Sequence, residues 1–113
     1  MQIQYDELEN GIRRIILRGR LDIAGVNEID LIFTGYCSGE GVRVLVDLSG
    51  VEYLASIGIR LLTSNAKSLA SRGGRMALLH PTGDVKNVLE MTGIPAVIPM
   101  YDQSESAQVV LLA

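Results

Sequence analysis

One serine stands apart from the other side chains that could act as nucleophile, acid, base or metal ligand. In Val46-Asp47-Leu48-Ser49-Gly50-Val51-Glu52-Tyr53-Leu54-Ala55-Ser56-Ile57-Gly58-Ile59-Arg60-Leu61-Leu62, an apolar strand leads through a loop to Ser56 at the start of a helix. The simplest role for Ser56 is an N-cap, its hydroxyl accepting from a free backbone N–H, worth ~0.5–2 kcal/mol. The same position also accommodates a phosphate, because the free N–H groups and the dipole of a helix start favour negative charge. The other candidates lack partners. His80 is the only histidine, so a triad or a His-based metal site has no second member; it reads as a strand-end histidine hydrogen-bonded to backbone. Cys37 is the only cysteine and reads as a small buried hydrophobe. Asp6, Glu7 and Glu9 cluster near a turn, and Glu28 and Asp30 fall on the outer face of a helix. None forms an acid–base pair. Gly39-Glu40-Gly41 precedes a strand and so does not match a phosphate-cradling loop. Arg13, Arg14, Arg18 and Arg20 read as a charged sheet edge.

The elements that must position Ser56 follow from periodicity and turn chemistry. Residues 2–9 alternate, residues 12–18 are apolar with interspersed arginines, and Asn10-Gly11 between them predicts a tight hairpin. Asp22 reads as the N-cap of a helix carrying Val26, Ile29, Phe33 and Tyr36 inward, ended by Gly39 or Gly41. Residues 42–48 are nearly all apolar, as in a strand buried on both faces, and Ser49-Gly50 is expected to break it. Ile57, Leu61, Leu62, Ala66, Leu69 and Ala70 mark the inner face of a second helix, stopped by Gly73-Gly74. A strand over 76–79 and a helix opened by Pro81-Thr82 come next, the latter with Val85, Val88, Leu89 and Thr92 inward. A short strand is expected at 96–98. Asp102-Gln103-Ser104-Glu105 reads as a capping box for a last helix. The predicted order is ββαβαβαβα: one α/β domain over residues 1–113, a mixed sheet with an N-terminal antiparallel hairpin and packed helices.

Composition narrows the function. Apolar residues make up 48% of the chain, enough for one core, and with no Trp that core must be aliphatic. A net charge of −3 argues against duplex nucleic acid, whose binders present a basic face. A lone cysteine excludes an internal disulfide and a multi-Cys zinc site, and suits a reducing cytosol. The acidic, alternating start is unlike a signal peptide, and no apolar run approaches the ~20 residues of a membrane span. A cytoplasmic protein that meets other proteins, with no cofactor, metal, nucleic acid or membrane, is the expectation.

The segment Asp47-Leu48-Ser49-Gly50-Val51-x-Tyr53-Leu54-Ala55-Ser56-Ile57-Gly58 resembles the signature of bacterial anti-sigma factor antagonists, which are STAS domains. Gly19-Arg20-Leu21-Asp22 is similar to the family's turn after the second strand. Gly73-Gly74-Arg75-Met76-Ala77-Leu78, then Pro81, Val85 and Leu89, then Met91-Thr92-Gly93-Ile94, resemble its C-terminal half in order and spacing. The resemblance implies that the unphosphorylated domain binds a serine-kinase anti-sigma factor. Phosphorylation with ATP would dissolve that complex, and a metal-dependent serine phosphatase would reset it. It places the acceptor on Ser56, with Asp22, Ala55, Ile57, Gly58 and Arg60 in the partner-binding surface. The chain departs from the family's Asp-Ser-Ser-Gly or Asp-Ser-Thr-Gly by having Ala55 and Ile57 around the acceptor. That change suits either a different cognate kinase or a STAS scaffold that is never switched.

Overall fold

The computed structural model describes all 113 residues. The strands are β1 (Gln2–Glu7), β2 (Arg13–Leu21), β3 (Arg43–Leu54), β4 (Arg75–Leu79) and β5 (Met100–Tyr101). The helices are α1 (Ile23–Tyr36), α2 (Ser56–Ser71), α3 (Gly83–Met91) and α4 (Ser104–Leu112), with a 3-10 turn at Ile94–Ala96. The order ββαβαβαβα is thus observed. The strands lie side by side in chain order, β1 antiparallel to β2 and all later pairs parallel.

Right-handed crossovers that always step the same way along a sheet put their helices on one face. Accordingly α1, α2 and α3 pack on one face around Leu17, Phe33, Val46, Leu62, Leu78 and Leu89, all fully buried. After β5 the chain has no further strand to join, and α4 covers the opposite face through Ala107 and Leu111 against Ile12, Leu45, Ala77 and Leu79. At the hairpin, Gly11 takes a left-handed φ of 85° and donates to the Leu8 carbonyl, while Asn10 Oδ1 accepts from the Ile12 N–H.

Several local expectations are corrected. Ser49-Gly50 does not end β3, which runs on to Leu54; pairing with β2 continues past it, with register shifts between Ile16 and Arg18 and between Gly19 and Arg20. Residues 96–98 are not a strand. Pro95 and Pro99 bracket them, each without an N–H to donate, and pairing with β4 resumes only at Met100. The capping box fails, since Gln103 holds the cap position without a side-chain bond and Asp102 faces Lys86 at 3.8 Å. On α2, Ala70, expected inward, is exposed, and Asn65, not among the expected inward residues, is buried. On α3, Thr92 turns outward, its hydroxyl donating to the Val88 carbonyl.

The arginines of β2 are not edge charges, because β1 covers that side of the strand. Arg14 pairs with Asp6 across the hairpin, its Nε 2.9 Å from Oδ1. Arg13 instead donates to the carbonyls of Tyr36 (3.0 Å) and Ser38 (2.8 Å) at the end of α1. Arg72 donates to those of Cys37 (2.7 Å) and Gly39 (2.9 Å) in the same place. Arg43 and Arg75 do the same for α4, bonding Leu111 (2.7 Å) and Val110 (2.8 Å). Neither helix has a basic residue of its own in its last turn, so distant arginines bond the open carbonyls of Tyr36 in α1 and of Val110 and Leu111 in α4, and those of residues 37–39 just beyond α1.

Candidate functional site

Ser56 follows the C-terminal end of β3, beside the C-terminal end of β2. Leu21 and Leu54 are register partners, and the Ala55 N–H donates to the Leu21 carbonyl at 3.0 Å. This bond ties the β2–α1 turn, which carries Asp22, to the β3–α2 turn, which carries Ala55 and Ser56. Asp22 is the N-cap of α1, as expected. Its Oδ1 accepts from the Gly25 N–H at 2.8 Å and its Oδ2 from Arg20 Nε at 3.3 Å. Arg20 in turn lies over the Tyr53 ring, 4.3 Å from its centre. Tyr53 is 44% exposed, which leaves this Tyr53–Arg20–Asp22 chain accessible beside Ser56. Neither turn alone signals the Arg20–Tyr53 contact; the signal lies in the β2–β3 register, which makes them partners.

The N-cap role expected of Ser56 is not observed. Ala55 holds the cap position, extended at φ −94° and ψ 170°, and has no side chain to bond the helix. Ser56 is the first helical residue; it is exposed and its hydroxyl makes no hydrogen bond. The Gly58 and Ile59 N–H groups bond the Ala55 carbonyl, and those of Ser56 and Ile57 have no intrahelical partner. Two amides and a free hydroxyl therefore meet at an uncapped, electropositive helix start. An acid or hydroxyl at position 55 would cap this helix, so Ala55→Asp is expected to stabilise the fold by about 1 kcal/mol. Thermal melting would show a midpoint about 4 °C higher or more. An unchanged midpoint would mean that the helix start is already satisfied.

The remaining expected site residues divide by exposure. Arg60 is exposed one turn after Ser56, and Ile57 is half-buried against the core. Gly58 is buried: a Cβ there would lie 2.9 Å from Leu21 Cβ and 3.0 Å from the Leu21 oxygen. Its role is to let α2 approach the end of β2, and it shapes the surface without reaching it. His80 is half-buried at a left-handed φ of 54°, and the bond it makes is that of its backbone N–H to the Tyr101 carbonyl. Cys37 is buried at the end of α1, where desolvation pushes its thiol up to about 12 despite Arg13 and Arg72 nearby. At neutral pH it stays protonated and unreactive.

The Asp22 carboxyl is held below its ordinary value of 3.8, first by the Gly25 N–H and then by Arg20. A lowered folded-state pKa contributes stability above the unfolded value, and that contribution is lost as pH falls through the folded value. The Asp22 resonance in an NMR titration is therefore expected to move below pH 3.8. Asp22→Asn keeps a good cap and should melt close to wild type at neutral pH. A large loss of stability in Asp22→Asn would show that the charge, not the cap, holds the turn.

The family model for the STAS domain matches residues 6–107. The chain belongs to the STAS domain family. It is 24% identical to BtrV of Bordetella bronchiseptica, a protein named as an anti-sigma factor antagonist, over 95% of this chain and 91% of that one. The structure of an anti-sigma-factor antagonist (STAS) domain protein from Planctomyces limnophilus is 27% identical, with a TM-score of 0.85 over 96% of each chain. The anti-sigma factor antagonist SpoIIAA shares the fold at 21% identity, with a TM-score of 0.77 for its unphosphorylated form over 96% of each chain. For the phosphorylated form from Bacillus the TM-score is 0.71 at 20% identity, over 96% of this chain and 99% of that one.

Proposed function

We propose that this chain is a cytoplasmic anti-sigma factor antagonist, switched between partners by phosphorylation of Ser56. Unphosphorylated, it binds a serine-kinase anti-sigma factor over the joined β2–α1 and β3–α2 turns. The kinase transfers the γ-phosphoryl group of its bound ATP to the Ser56 oxygen, ADP leaves, and the complex separates. A metal-dependent serine phosphatase hydrolyses the ester and restores the binding form. The supporting observation is the exposed, unbonded Ser56 hydroxyl at the uncapped start of α2.

The electrostatics are consistent with a switch that spares the fold. A phosphate adds about −1.5 to −2 charges and three strong acceptors. Within the free protein, the open amides of Ser56 and Ile57 stabilise that charge. Inside an interface the same dianion loses water without gaining a partner, and Asp22 adds repulsion. Asp22 and Arg20 lie at the turn that the Ala55–Leu21 bond ties to the start of α2, and are the positions through which a kinase would recognise the acceptor.

A second reading is a STAS scaffold that never becomes phosphorylated, and Ala55 in place of the family's acid favours it. Incubation with ATP and candidate serine-kinase anti-sigma factors, followed by mass spectrometry of the Ser56 peptide, separates the two. Phosphate on Ser56, absent from Ser56→Ala, is the expected result. Equal labelling of Ser56→Ala would remove Ser56 from the mechanism, and stable binding without labelling would favour the scaffold.

A further inference from the structure

Between α1 and α2 runs a groove of ≈ 280 Å³ that the switch mechanism leaves unused. Its floor is Val26, Ile57 and Leu61, and polar groups from both helices line it: Asp30 and Thr34 from α1, Arg60, Ser64 and Asn65 from α2. Asn65 is the distinctive member. It is the one buried polar residue in the molecule, only 6% exposed, on the face of α2 that otherwise carries the core. Its Nδ2 donates to the Leu61 carbonyl at 2.9 Å. That bond fixes the amide, because a carbonyl accepts only from the nitrogen. Oδ1 therefore points away from the helix backbone, and it accepts no hydrogen bond from the protein. Every fully buried side-chain nitrogen and oxygen has a partner, so this unbonded oxygen must be accessible, and the groove is the cavity that Asn65 lines. The Asp30 carboxylate also lines the groove, half-buried and in no ion pair; the four ion pairs of the molecule involve other groups.

We infer that this groove receives the side chain of a lysine or arginine from a partner protein. An accessible, unbonded amide oxygen and an unpaired carboxylate lining one groove suit a donor carrying positive charge. The apolar floor suits the aliphatic stem that both basic side chains possess. At ≈ 280 Å³ the groove has room for one long side chain. Arg60, one turn after Ser56, lines the same groove. As an exposed, unpaired cation it opposes an entering cation, which makes it a specificity determinant in the opposite sense to Asp30. Ile57 and Arg60, which line the groove, lie within about one helical turn of Ser56, so one partner can cover both.

The test uses the whole chain and N-acetyl-arginine amide, with N-acetyl-citrulline amide as the neutral isostere, followed by ¹H–¹⁵N NMR. It needs neither kinase nor phosphate, so its outcome stands apart from that of the Ser56 labelling experiment. The arginine probe is expected to shift the Asn65 side-chain amide and the backbone amides of Asp30, Arg60 and Ser64 along a saturating curve, and the citrulline probe should not. Asp30→Asn should weaken binding about three- to tenfold, and Arg60→Gln should strengthen it by a similar factor. Both variants change half-buried or exposed positions and should retain the wild-type spectrum elsewhere. Equal shifts with citrulline, an undiminished affinity in Asp30→Asn, or no shift around Asn65 would each overturn the inference. Markedly tighter binding of free arginine than of the capped form would also overturn it, by making the groove an amino-acid site.

Discussion

Phosphorylation of Ser56 is expected to weaken binding to the proposed partner kinase about a hundredfold, Ser56→Asp about tenfold, and Ser56→Ala not at all. The first figure corresponds to ~3 kcal/mol, modest for a charge stripped of water inside an interface. Asp carries roughly half the charge of a phosphoserine and should produce roughly half the effect. The stability order is a separate matter. Because Ser56 caps nothing, Ser56→Ala removes no hydrogen bond, and alanine is the best helix former. That variant should melt at the wild-type temperature. Ser56→Asp should melt at or slightly above it, since a negative side chain in the first turn of a helix is stabilising by ~0.3–1 kcal/mol. Calorimetric affinities and melting curves of the three forms thus give opposite rankings if the serine is a switch. Equal affinities for the kinase in the phosphorylated and unphosphorylated forms would end that reading.

The largest effect on stability is expected from Gly25→Ala. A Cβ at position 25 would overlap the Arg20 carbonyl oxygen, with Asp22 Oδ1 at 3.3 Å on its other side. Neither obstacle is the loose end of a flexible chain: one is backbone, and the other is the cap that the Gly25 N–H itself holds in place. The first turn of α1 would have to move off the end of β2. Overpacking of this kind is destabilising by typically 1–3 kcal/mol, and a backbone obstacle argues for the upper end, about 3 kcal/mol. The midpoint should then fall by roughly 12 °C or more. Moving the turn also displaces Asp22 and Arg20, so binding to the kinase should weaken even at temperatures where the variant is folded. Melting within a degree or two of wild type would show that the turn has slack that the packing conceals.

The two ends of the site were unequally legible in the sequence. Asp22 was readable as a cap because an acidic residue before an apolar 3.6-residue period is a local signal, and its bond to Gly25 spans three residues. Ser56 was readable as the residue in question but not in its geometry. The extended conformation that makes Ala55 the cap comes with the bond from its N–H to Leu21, on another strand, and no window around position 56 contains that contact. The same distance effect explains β3. Ser49-Gly50 carries an ordinary turn signal, yet pairing with β2 on that side overrides it. Asn65 was missed for a different reason: helical periodicity counts apolar residues, and an amide satisfied by its own helix backbone looks polar in sequence while behaving as part of the core.

The arginines that close the ends of α1 and α4 bear on how slowly the molecule comes apart. Each joins groups far apart in the chain: Arg13 reaches 23 residues to Tyr36, Arg72 35 residues to Cys37, Arg75 35 to Val110 and Arg43 68 to Leu111. Such bonds form only after the intervening loops have closed, and loop closure is the entropic part of the folding barrier. They are expected among the last contacts made and the first broken. Interactions absent from the transition state leave the folding rate alone and act on the unfolding rate. Replacing Arg43 and Arg75 should therefore speed unfolding while refolding proceeds as before. On that expectation the arginine caps set the lifetime of the native state more than the ease of reaching it.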